Sequence, residues 1–486
     1  MNKEVLEAFR QLFSLALNIK ASTRELSTLT LGLEGGYVEP GPSGSLTRGK
    51  LDVLPTGRNF YAVDPSTVPT KPAWEIGVKT ANQLLEYHLS KHGSYPESIG
   101  FVLWAIDTYK ADGEQLAQIL YLLGVRPKWN SYGKVEGVEV IPIEELGRPR
   151  IDCVVRISGV VRDALMNIVE LIDEAVSKVV ALDEDPEVNY VRKHVLNYVR
   201  SGGDFREATF RVFCAPPGAY GAGVNYAFEA SAWRTDEDLA KTWVQWSGYA
   251  YGKGVYGAQA HRELLSILKT VELVSRNHMS DEHDPLNCCC YFSYHGGLHN
   301  AAKVASGKDV DIVTVDTRDL SNTQVLPTKL EIERVVRSKL LNPSWIEEMK
   351  KHGYRGANEF SRKILHLCGW SAVSRVVDNW VYDEIAKTYA LDDEMRRWLE
   401  ENNPWAFEEI VRRLLESAER GLWKPDEELL EKLRNIYGEI EGLMEDIGDI
   451  TQGGEVVILT AEDVESWKVN MKDIDEVWRE LVRRRE

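Results

Sequence analysis

Two apolar runs in the first half of the chain decide the fold, Ile99-Gly-Phe-Val-Leu-Trp-Ala105 and Ile151-Asp-Cys-Val-Val-Arg-Ile157. Each has the length of a buried strand and is well short of the ~18 apolar residues that a membrane-spanning helix needs. Helical patterns precede, separate and follow the runs, at Trp74 to His92, Gly113 to Leu123 and Arg162 to Val180. Strands that alternate with helix-length segments predict a parallel sheet covered by helices.

The residues that follow these strands are the first candidates for a binding site. They lie near 107–110 and 156–160. In open α/β sheets, ligands enter the crevice outside the carboxyl ends of the strands. We therefore expect any cavity for a ligand to lie at this edge of the sheet.

The pattern changes further along the chain. A strand from Arg211 to Cys214 runs into a glycine-rich loop, after which a helix-rich stretch is predicted to about Val274. Another strand is expected from Asp311 to Val315, and beyond Leu326 the helical patterns are almost continuous, with turns at Gly and Pro such as Gly369. The sequence thus predicts a multidomain α/β protein with parallel-sheet units and a helix-rich C-terminal region.

We predict five segments along the chain. They are an N-terminal helical segment and loop (1–57), an α/β domain (58–200), a second α/β domain with the glycine-rich loop and a His-Gly-Gly turn (201–325), a helical domain (326–450), and a peripheral tail with a short strand and a charged helix (451–486).

Composition excludes several classes of protein. The 486 residues include 58 Lys plus Arg and 76 Asp plus Glu, a net charge of −18, which disfavours a nucleic-acid partner. No segment is apolar for long enough to predict a membrane span, and the first 20 residues have neither a basic region nor an apolar region of a signal peptide. The six cysteines lack the spacing of a disulfide framework. These features predict a cytoplasmic protein.

Residues Gly44 to Leu51 match the phosphate-binding P-loop motif except at the last position. However, Leu51 replaces the hydroxyl residue that must bind Mg²⁺, and a proline turn precedes the loop instead of a strand. An ordinary loop is the better interpretation, so we do not expect this chain to hydrolyse ATP.

The glycine-rich loop from Pro216 to Asn225 follows a strand and opens a helix. Its glycines would let the backbone approach a flat or anionic ligand, although a tight turn explains them equally well. Glu229 lies one helical turn after Asn225, so both side chains would share a face near the loop. A solvated helix face remains the alternative.

The window from His278 to His299 has the highest density of metal-binding side chains. It includes three consecutive cysteines, Cys288, Cys289 and Cys290, whose spacing matches no zinc finger or ribbon. Three consecutive side chains cannot all point the same way in a strand, which weakens the case for a structural zinc site. His295, in a His-Gly-Gly turn, is a candidate base or transient metal ligand or, equally, a structural hydrogen-bonding residue.

Four stretches together resemble the large subunits of aerobic cobaltochelatase and magnesium chelatase. They are Tyr37 to Asn59, with its Pro-Gly-Pro and Leu-Pro-Thr-Gly-Arg-Asn motifs; Arg211 to Trp233; the His295-Gly296-Gly297 turn; and Leu341 to Tyr382. Their order and spacing resemble the family over roughly residues 20–447. Members insert a divalent metal into a tetrapyrrole, while a separate AAA+ ATPase subunit hydrolyses ATP together with a metal-ion-dependent adhesion-site subunit.

The resemblance implies roles for particular residues. It implies proton acceptors or transient metal ligands at Glu25, Glu229, His295 and Asp378, of which His295 and Glu229 are the candidate metal ligands. It also implies macrocycle contacts at Arg58, Asn59, Tyr220 and Asn225. The divalent metal is a substrate, and ATP is bound by the partner subunit.

The resemblance leaves alternatives open. The favoured function is insertion of cobalt into a corrin-type ring, with nickel or magnesium and a porphyrin ring as other possibilities for the substrates. Large subunits are usually more than twice as long as this chain, so a separate chain would supply an N-terminal half. Alternatively, the protein is a non-catalytic carrier or sensor of a tetrapyrrole or metal. Where relatives tend to have acidic residues before the His-Gly-Gly turn, this chain has Cys288, Cys289 and Cys290, which favours softer ions.

Overall fold

The structure is a computed structural model that describes residues 3–48, 50–61, 63–447 and 478–479. The predicted tail, including its strand from 456 to 459, lies outside the described residues apart from 478–479. The fold is built around one sheet. Its strands are β3 (Ser98–Leu103), β6 (Asp152–Ile157), β7 (Val212–Cys214), β8 (Tyr249–Gly252), β9 (Val255–Gln259), β10 (Val271–His278), β11 (Asp311–Asp316) and β12 (Gln324–Pro327).

The strand order in this sheet is β12-β11-β10-β3-β6-β7-β8-β9. The five central strands, β11 to β7 in this order, pair in parallel, and β12, β8 and β9 are antiparallel additions at the edges. Two short pairs lie apart from it, formed by β1 (Pro40–Pro42) with β2 (Asn59–Tyr61) and by β4 (Val125–Trp129) with β5 (Val135–Val140). The α/β fold with a parallel sheet is therefore confirmed.

Strands from both predicted α/β segments, 58–200 and 201–325, join this single sheet. The boundaries of the five predicted segments stay a prediction.

The central strands are buried on both faces, as their continuous apolar runs predict. On β3, Phe101 and Leu103 pack into the core on one face, whereas Val102 packs into the core on the other. Val155 and Val154 of β6 divide between the same two cores. Two hydrophobic layers therefore sandwich the sheet.

Helices on the two faces supply these layers. The first face is covered by α3 (Lys71–His92), α4 (Ala105–Ala111), α5 (Glu114–Leu123), α7 (Gly159–Ala164), α8 (Met166–Val180), α9 (Tyr190–Arg200) and α10 (Phe205–Ala208). The short helix α6 (Ile143–Leu146) follows β5. The second face is covered by α11 (Val224–Glu229), α12 (Asp236–Ser247), α13 (His261–Leu268), α14 (Cys289–Tyr291) and α15 (Gly297–Ser306).

The C-terminal helices extend the second hydrophobic layer, so the helix-rich C-terminal region is confirmed. They are α16 (Thr328–Val335), α17 (Pro343–Lys350), α18 (Tyr354–Ser374), α19 (Asn379–Ile385), α20 (Asp393–Asn402), α21 (Pro404–Glu419) and α22 (Glu427–Ile447), with π-helical segments at Val336–Leu340 and Ala386–Leu391.

Two sequence predictions are wrong in this part of the chain. The stretch predicted to be helix-rich up to Val274 contains the hairpin β8–β9 and the first half of β10. The second half of β10 is Ser275-Arg276-Asn277-His278, buried but polar, and so it lacks the apolar pattern of a strand. Helix α18 also continues through Gly369, where the sequence predicts a turn. The glycine serves packing instead, because a Cβ at this position would lie 2.7 Å from Cε1 of Phe292.

The predicted N-terminal helix forms as α1 (Lys3–Ala21) and α2 (Glu25–Leu33). Neither helix has a buried residue, and the apolar stripe of α1, including Phe9, Leu12 and Phe13, is exposed. Across the described part of the chain, the helices are too short or too polar to span a bilayer.

A buried ionic network ties β6 to its neighbours. Asp152, fully buried on β6, accepts hydrogen bonds from Arg211 Nε at 2.7 Å and from His194 Nδ1 at 2.8 Å, and His194 Nε2 lies 3.0 Å from Glu97. Burial alone would raise the pKa of Asp152, but Arg211 and His194 outweigh it and lower the pKa to about 2. Asp152 is therefore charged in the folded protein, and its loss would leave the buried Arg211 unpaired.

We predict that Asp152→Asn lowers the free energy of unfolding by about 3 kcal/mol at pH 6, because it breaks a buried ion pair from one side. The pKa of Asp152 is lowered on folding, so this stabilisation is complete above the unfolded value near 4 and fades as the pH falls toward about 2. Urea unfolding at pH 6 and pH 3 measures the difference. Asp183→Asn, at an exposed ion pair, is the control and changes stability by less than about 1 kcal/mol. An equal loss for both variants, or one for Asp152→Asn that does not shrink at pH 3, contradicts the prediction.

Candidate functional site

A cavity of about 1710 Å³ opens at the carboxyl ends of the central strands. It is larger than the ~300–1,000 Å³ of ordinary small-molecule sites. Its base is formed by residues that follow β3, β6 and β7, including Trp104, Ser158 and Gly221. Helix α2 and the loops at 36–44 and 56–59 form the opposite wall. The strand ends predicted from the sequence thus line the cavity, through Tyr109, Lys110 and residues 158–160.

The topology explains why the cavity lies here. From β3 the chain moves across the sheet to β6 and β7, then returns to place β10 on the other side of β3. The helices after β3, α4 and α5, pack on one face of the sheet, whereas the helices after β10, α14 and α15, pack on the other. The connections diverge between β3 and β10, which leaves a crevice at the strand ends, and open α/β sheets bind ligands at such points.

Three aromatic rings form the floor of this crevice. Trp104 follows β3, and its ring stacks with Tyr291 at 5.6 Å between centroids and lies 4.9 Å from the ring of Tyr294. Beneath them are two buried arginines. The Arg276 guanidinium lies 4.1 Å from the Tyr291 centroid, and that of Arg156 lies 4.7 Å from the Tyr294 centroid. The floor is therefore an aromatic cluster above positive charge, in which Trp104 is half-buried and the two tyrosines are buried.

Hydrogen bonds hold this floor in place. Tyr294 Oη accepts a hydrogen bond from the backbone N–H of Gly221 at 3.1 Å. Arg156 donates to the Gly221 carbonyl at 2.7 Å and to Ser247 Oγ at 2.8 Å. The glycine-rich loop is thus tied to the sheet and to Tyr294, and it supplies one edge of the cavity.

Four of the eight residues implied by the resemblance line this cavity. They are Glu25, Arg58, Asn59 and Tyr220. Glu25 Oε1 accepts a hydrogen bond from Thr56 Oγ1, which joins α2 to the 56–59 loop on the same wall. Arg58 donates to the carbonyls of Asp52 and Val53 at 3.0 and 3.1 Å.

Tyr220 has an exposed ring and donates from Oη to Asp163 at 2.6 Å. The ring of Tyr220 also packs against Gly159, where a Cβ would lie 2.4 Å from its Cδ1. A glycine at this strand end is therefore what allows Tyr220 to sit at the cavity rim.

The other four predicted residues are not among the described residues that line the cavity. Asn225 Oδ1 accepts from Ser293 Oγ at 3.3 Å, behind the floor. Glu229 ends α11, and its carbonyl accepts from Arg413 at 2.6 Å. Asp378 precedes α19 and pairs with Lys329 at 2.5 Å. Their implied roles stay predictions.

His295 differs from its predicted setting. The expected His-Gly-Gly turn is a continuous helix, a π-helical turn from Phe292 to Gly296 that runs into α15. Gly296 packs against Val373 and Gly297 against Trp243, so the glycines serve close packing. The ring of His295 is buried edge-on to Trp370 at 5.7 Å, and burial lowers its pKa to about 3. His295 is therefore a neutral imidazole beneath the cavity floor.

The three consecutive cysteines converge at the cavity wall. Their sulfur atoms all lie within 4.8 Å of one another, and Cys288 and Cys290 line the cavity. Cys288 has an extended backbone (φ −141°, ψ 138°), and the chain then turns into α14. Cys288 Sγ accepts a hydrogen bond from the backbone N–H of Cys290 at 3.3 Å. This change from strand to helix brings the three side chains together, as a strand would not.

Two buried carboxyl groups lie beside the floor. Burial raises the pKa of Asp107 to about 7, opposed by the positive charge of Arg276. Burial likewise raises the pKa of Glu114 to about 7, although its carboxylate pairs with Arg48. Asp107 Oδ1 is buried without a hydrogen-bond partner. Protonation near neutral pH therefore changes the charge next to the aromatic floor.

We predict that Asp107→Asn becomes more stable relative to the unchanged protein as the pH rises from about 4 to about 7. The folded pKa of Asp107, about 7, exceeds its unfolded value, so ionisation costs the folded state stability over this interval. The measurement is the thermal midpoint of both proteins at pH 5 and pH 8. Asp112→Asn, at the end of the same helix, is the control with a carboxylate paired to Lys50. The prediction is contradicted if the thermal midpoint of Asp107→Asn, relative to that of the unchanged protein, does not rise between pH 5 and pH 8.

Sequence reasoning did not identify the aromatic floor or its arginines. Trp104 and Tyr291 belong to a chain rich in aromatic residues, 14 Trp and 20 Tyr, and nothing in the pattern distinguishes them from core residues. The one local signal is position: Trp104 lies at the end of a predicted strand, and Tyr291 directly follows the three cysteines. Arg276 lies on β10, which the sequence did not predict.

The comparison with known proteins identifies the family. The sequence model described as CobN/Magnesium Chelatase matches residues 3–430, so the chain belongs to this family. An uncharacterized protein of Methanocaldococcus jannaschii is 49% identical over 463 residues, which are 94% of this chain and 36% of the relative. The aerobic cobaltochelatase subunit CobN of Pseudomonas aeruginosa is 39% identical over 426 residues, 86% of this chain and 34% of that protein.

A solved structure agrees with the fold. The catalytic subunit of cobaltochelatase from Mycobacterium tuberculosis superimposes with a TM-score of 0.85 and 38% sequence identity, over 88% of this chain and 37% of that one. The resemblance seen in the sequence is therefore confirmed. The chain spans about a third of the length of the curated relatives that it matches.

Proposed function

We propose that this chain is the ring-binding part of a tetrapyrrole metal chelatase that inserts a divalent metal, with cobalt and a corrin-type ring favoured as substrates. The observation that carries the proposal is the cavity at the strand ends, with its floor of Trp104, Tyr291 and Tyr294. A planar macrocycle would cover the aromatic faces. Membership of the CobN/Magnesium Chelatase family supports the same function.

Metal insertion requires particular chemical groups in the walls of the cavity. Two ring N–H protons must be removed, and the metal must lose its water before the ring nitrogens bind it. Glu25 is the implied proton acceptor that lines the cavity, and Arg58, Asn59 and Tyr220 are the implied ring contacts there. Arg58 and Lys110 would meet the carboxylate side chains of a tetrapyrrole. ATP is hydrolysed by a partner AAA+ subunit that acts with a metal-ion-dependent adhesion-site subunit.

We predict that Trp104→Ala weakens ring binding about tenfold or more, because stacking on an aromatic face is worth about 1 kcal/mol beyond buried area and 1.4 kcal/mol is a factor of ten. Absorbance titration with hydrogenobyrinic acid a,c-diamide, sirohydrochlorin and protoporphyrin IX measures the affinity. Tyr132→Ala, at an exposed hairpin residue outside the cavity, is the matched control and leaves the affinity unchanged. Absence of binding for all three rings contradicts the proposal, as does equal binding by Trp104→Ala.

We also predict that Glu25→Gln slows metal insertion about 100-fold while ring affinity changes by less than about twofold, as expected for loss of a proton acceptor. The assay adds Co²⁺, Ni²⁺ or Mg²⁺ to the ring complex with AAA+ and adhesion-site partners, and with any separate chain that supplies the N-terminal half. Glu34→Gln, at the end of the same helix and outside the cavity lining, is the control.

The insertion assay also separates the chelatase from the alternative. ATP-dependent metallation of one ring supports the chelatase and identifies the metal. Tight ring binding without metallation under every combination of metal and partner would support a carrier or sensor instead. An unchanged insertion rate for Glu25→Gln removes Glu25 from the reaction.

A further inference from the structure

The thiol cluster of Cys288, Cys289 and Cys290 is the feature of the cavity that the proposed function does not use. The three sulfur atoms lie within 4.8 Å of one another, a separation that one metal ion can bridge. All three cysteines are half-buried, unlike the fully buried Cys153, Cys214 and Cys368, and none forms a disulfide. The cluster is therefore accessible and chemically free.

Its position connects it to the cavity. Cys288 and Cys290 line the cavity together with Tyr291, whose ring belongs to the aromatic floor. The cluster is thus a neighbour in sequence and in space of the surface on which we place the ring. An ion held by these sulfurs would lie in the wall of the same cavity.

A second cluster of metal-binding side chains does not have these properties. His278, Asp281 and Glu331 also offer three donor atoms within 4.8 Å of one another. However, Asp281 accepts from Arg318 at 2.7 Å and from Arg334 at 2.6 Å, and Glu331 accepts from the same two guanidinium groups at 3.2 and 2.8 Å. Two arginines already neutralise the two carboxylates, so this group is an ion-pair network with little net attraction for a cation.

We propose that Cys288, Cys289 and Cys290 form an entry site that binds a thiophilic divalent ion, of the class of Co²⁺, Ni²⁺ or Zn²⁺, at the cavity wall before the ion is transferred to the ring. This inference rests on the proposed function for the transfer but not for the binding. Thiolate sulfur binds these ions in preference to Mg²⁺, which favours oxygen ligands. Three protein ligands leave the fourth position of a tetrahedral ion open for water or for an incoming ligand.

The transfer balances in protons and charge. Binding of a divalent ion by two thiols as thiolates releases two protons to solvent, with the third sulfur as a neutral donor. On transfer, the three metal–sulfur bonds break and four metal–nitrogen bonds form. Glu25 accepts the two ring N–H protons in turn and passes them to solvent, and solvent returns two protons to the two thiolates. The cluster regains its thiols and the metallated ring leaves without net change in charge, so no oxidant or reductant is needed.

The test is a titration of the full chain with Co²⁺ under anaerobic, reducing conditions. We expect a saturable thiolate-to-Co²⁺ charge-transfer absorbance that corresponds to one ion per chain and that Zn²⁺ displaces but a large excess of Mg²⁺ does not. The triple variant C288S/C289S/C290S loses this absorbance. Cys368→Ala, which removes a buried thiol and keeps the cluster, is the matched control and retains it.

Several results would overturn the proposal. They are no charge-transfer absorbance in the unchanged protein, the same absorbance in the triple variant, or displacement by Mg²⁺. Circular dichroism checks that the triple variant is folded, and if it is not, the single variants C288S and C290S, each expected to lower the absorbance and weaken Co²⁺ binding, replace it.

Ring titration of the triple variant keeps the two proposals separate. Its ring affinity stays unchanged if the thiols serve only the metal. Co²⁺ binding by thiols in a chain that binds no ring supports the metal site and contradicts the chelatase function. Ring binding without thiolate-bound Co²⁺ supports the proposed function and overturns the entry site.

Discussion

Parallel pairing of β10 with β3 is the interaction on which the rest of the site depends. Residues 271–275 of β10 pair with residues 98–101 of β3, so both strands end at the same edge of the sheet. The chain after β3 and the chain after β10 then turn to opposite faces, which opens a crevice between them. Trp104 comes from one side of this crevice and Tyr291 from the other, and their stacking closes the floor. The cysteines occupy the wall because they directly precede Tyr291.

The sequence predicts the centre of the sheet because β3 and β6 are apolar on both faces and helical patterns separate them. It also predicts that the strand ends matter, and residues 158–160 line the cavity. β10 could not be predicted in the same way, since its last four residues are polar and their burial depends on partners distant in sequence, such as Asp107 for Arg276. The strand is defined by its neighbours rather than by its own composition.

The candidate site shows the same division. The resemblance identified Glu25, Arg58, Asn59 and Tyr220, which come from three separate stretches of the sequence and line one cavity. The two glycines after His295 predict a flexible turn, whereas in the structure they permit close contact with Val373 and Trp243. In a strand the three cysteine side chains would not converge, but the chain turns from extended backbone at Cys288 into α14. In both cases, the local backbone conformation, which composition does not determine, decides what the side chains can do.

The central claim is that a tetrapyrrole lies at the divergence of β3 and β10, against the aromatic floor. A crystal structure of the chain with the ring that it binds most tightly tests this claim most directly. The account predicts a ring plane stacked on Trp104 or Tyr294, with Arg58 or Lys110 at its carboxylates and the sulfur atoms of Cys288 and Cys290 in the same cavity. A ring bound elsewhere on the protein, with this cavity empty, would contradict it.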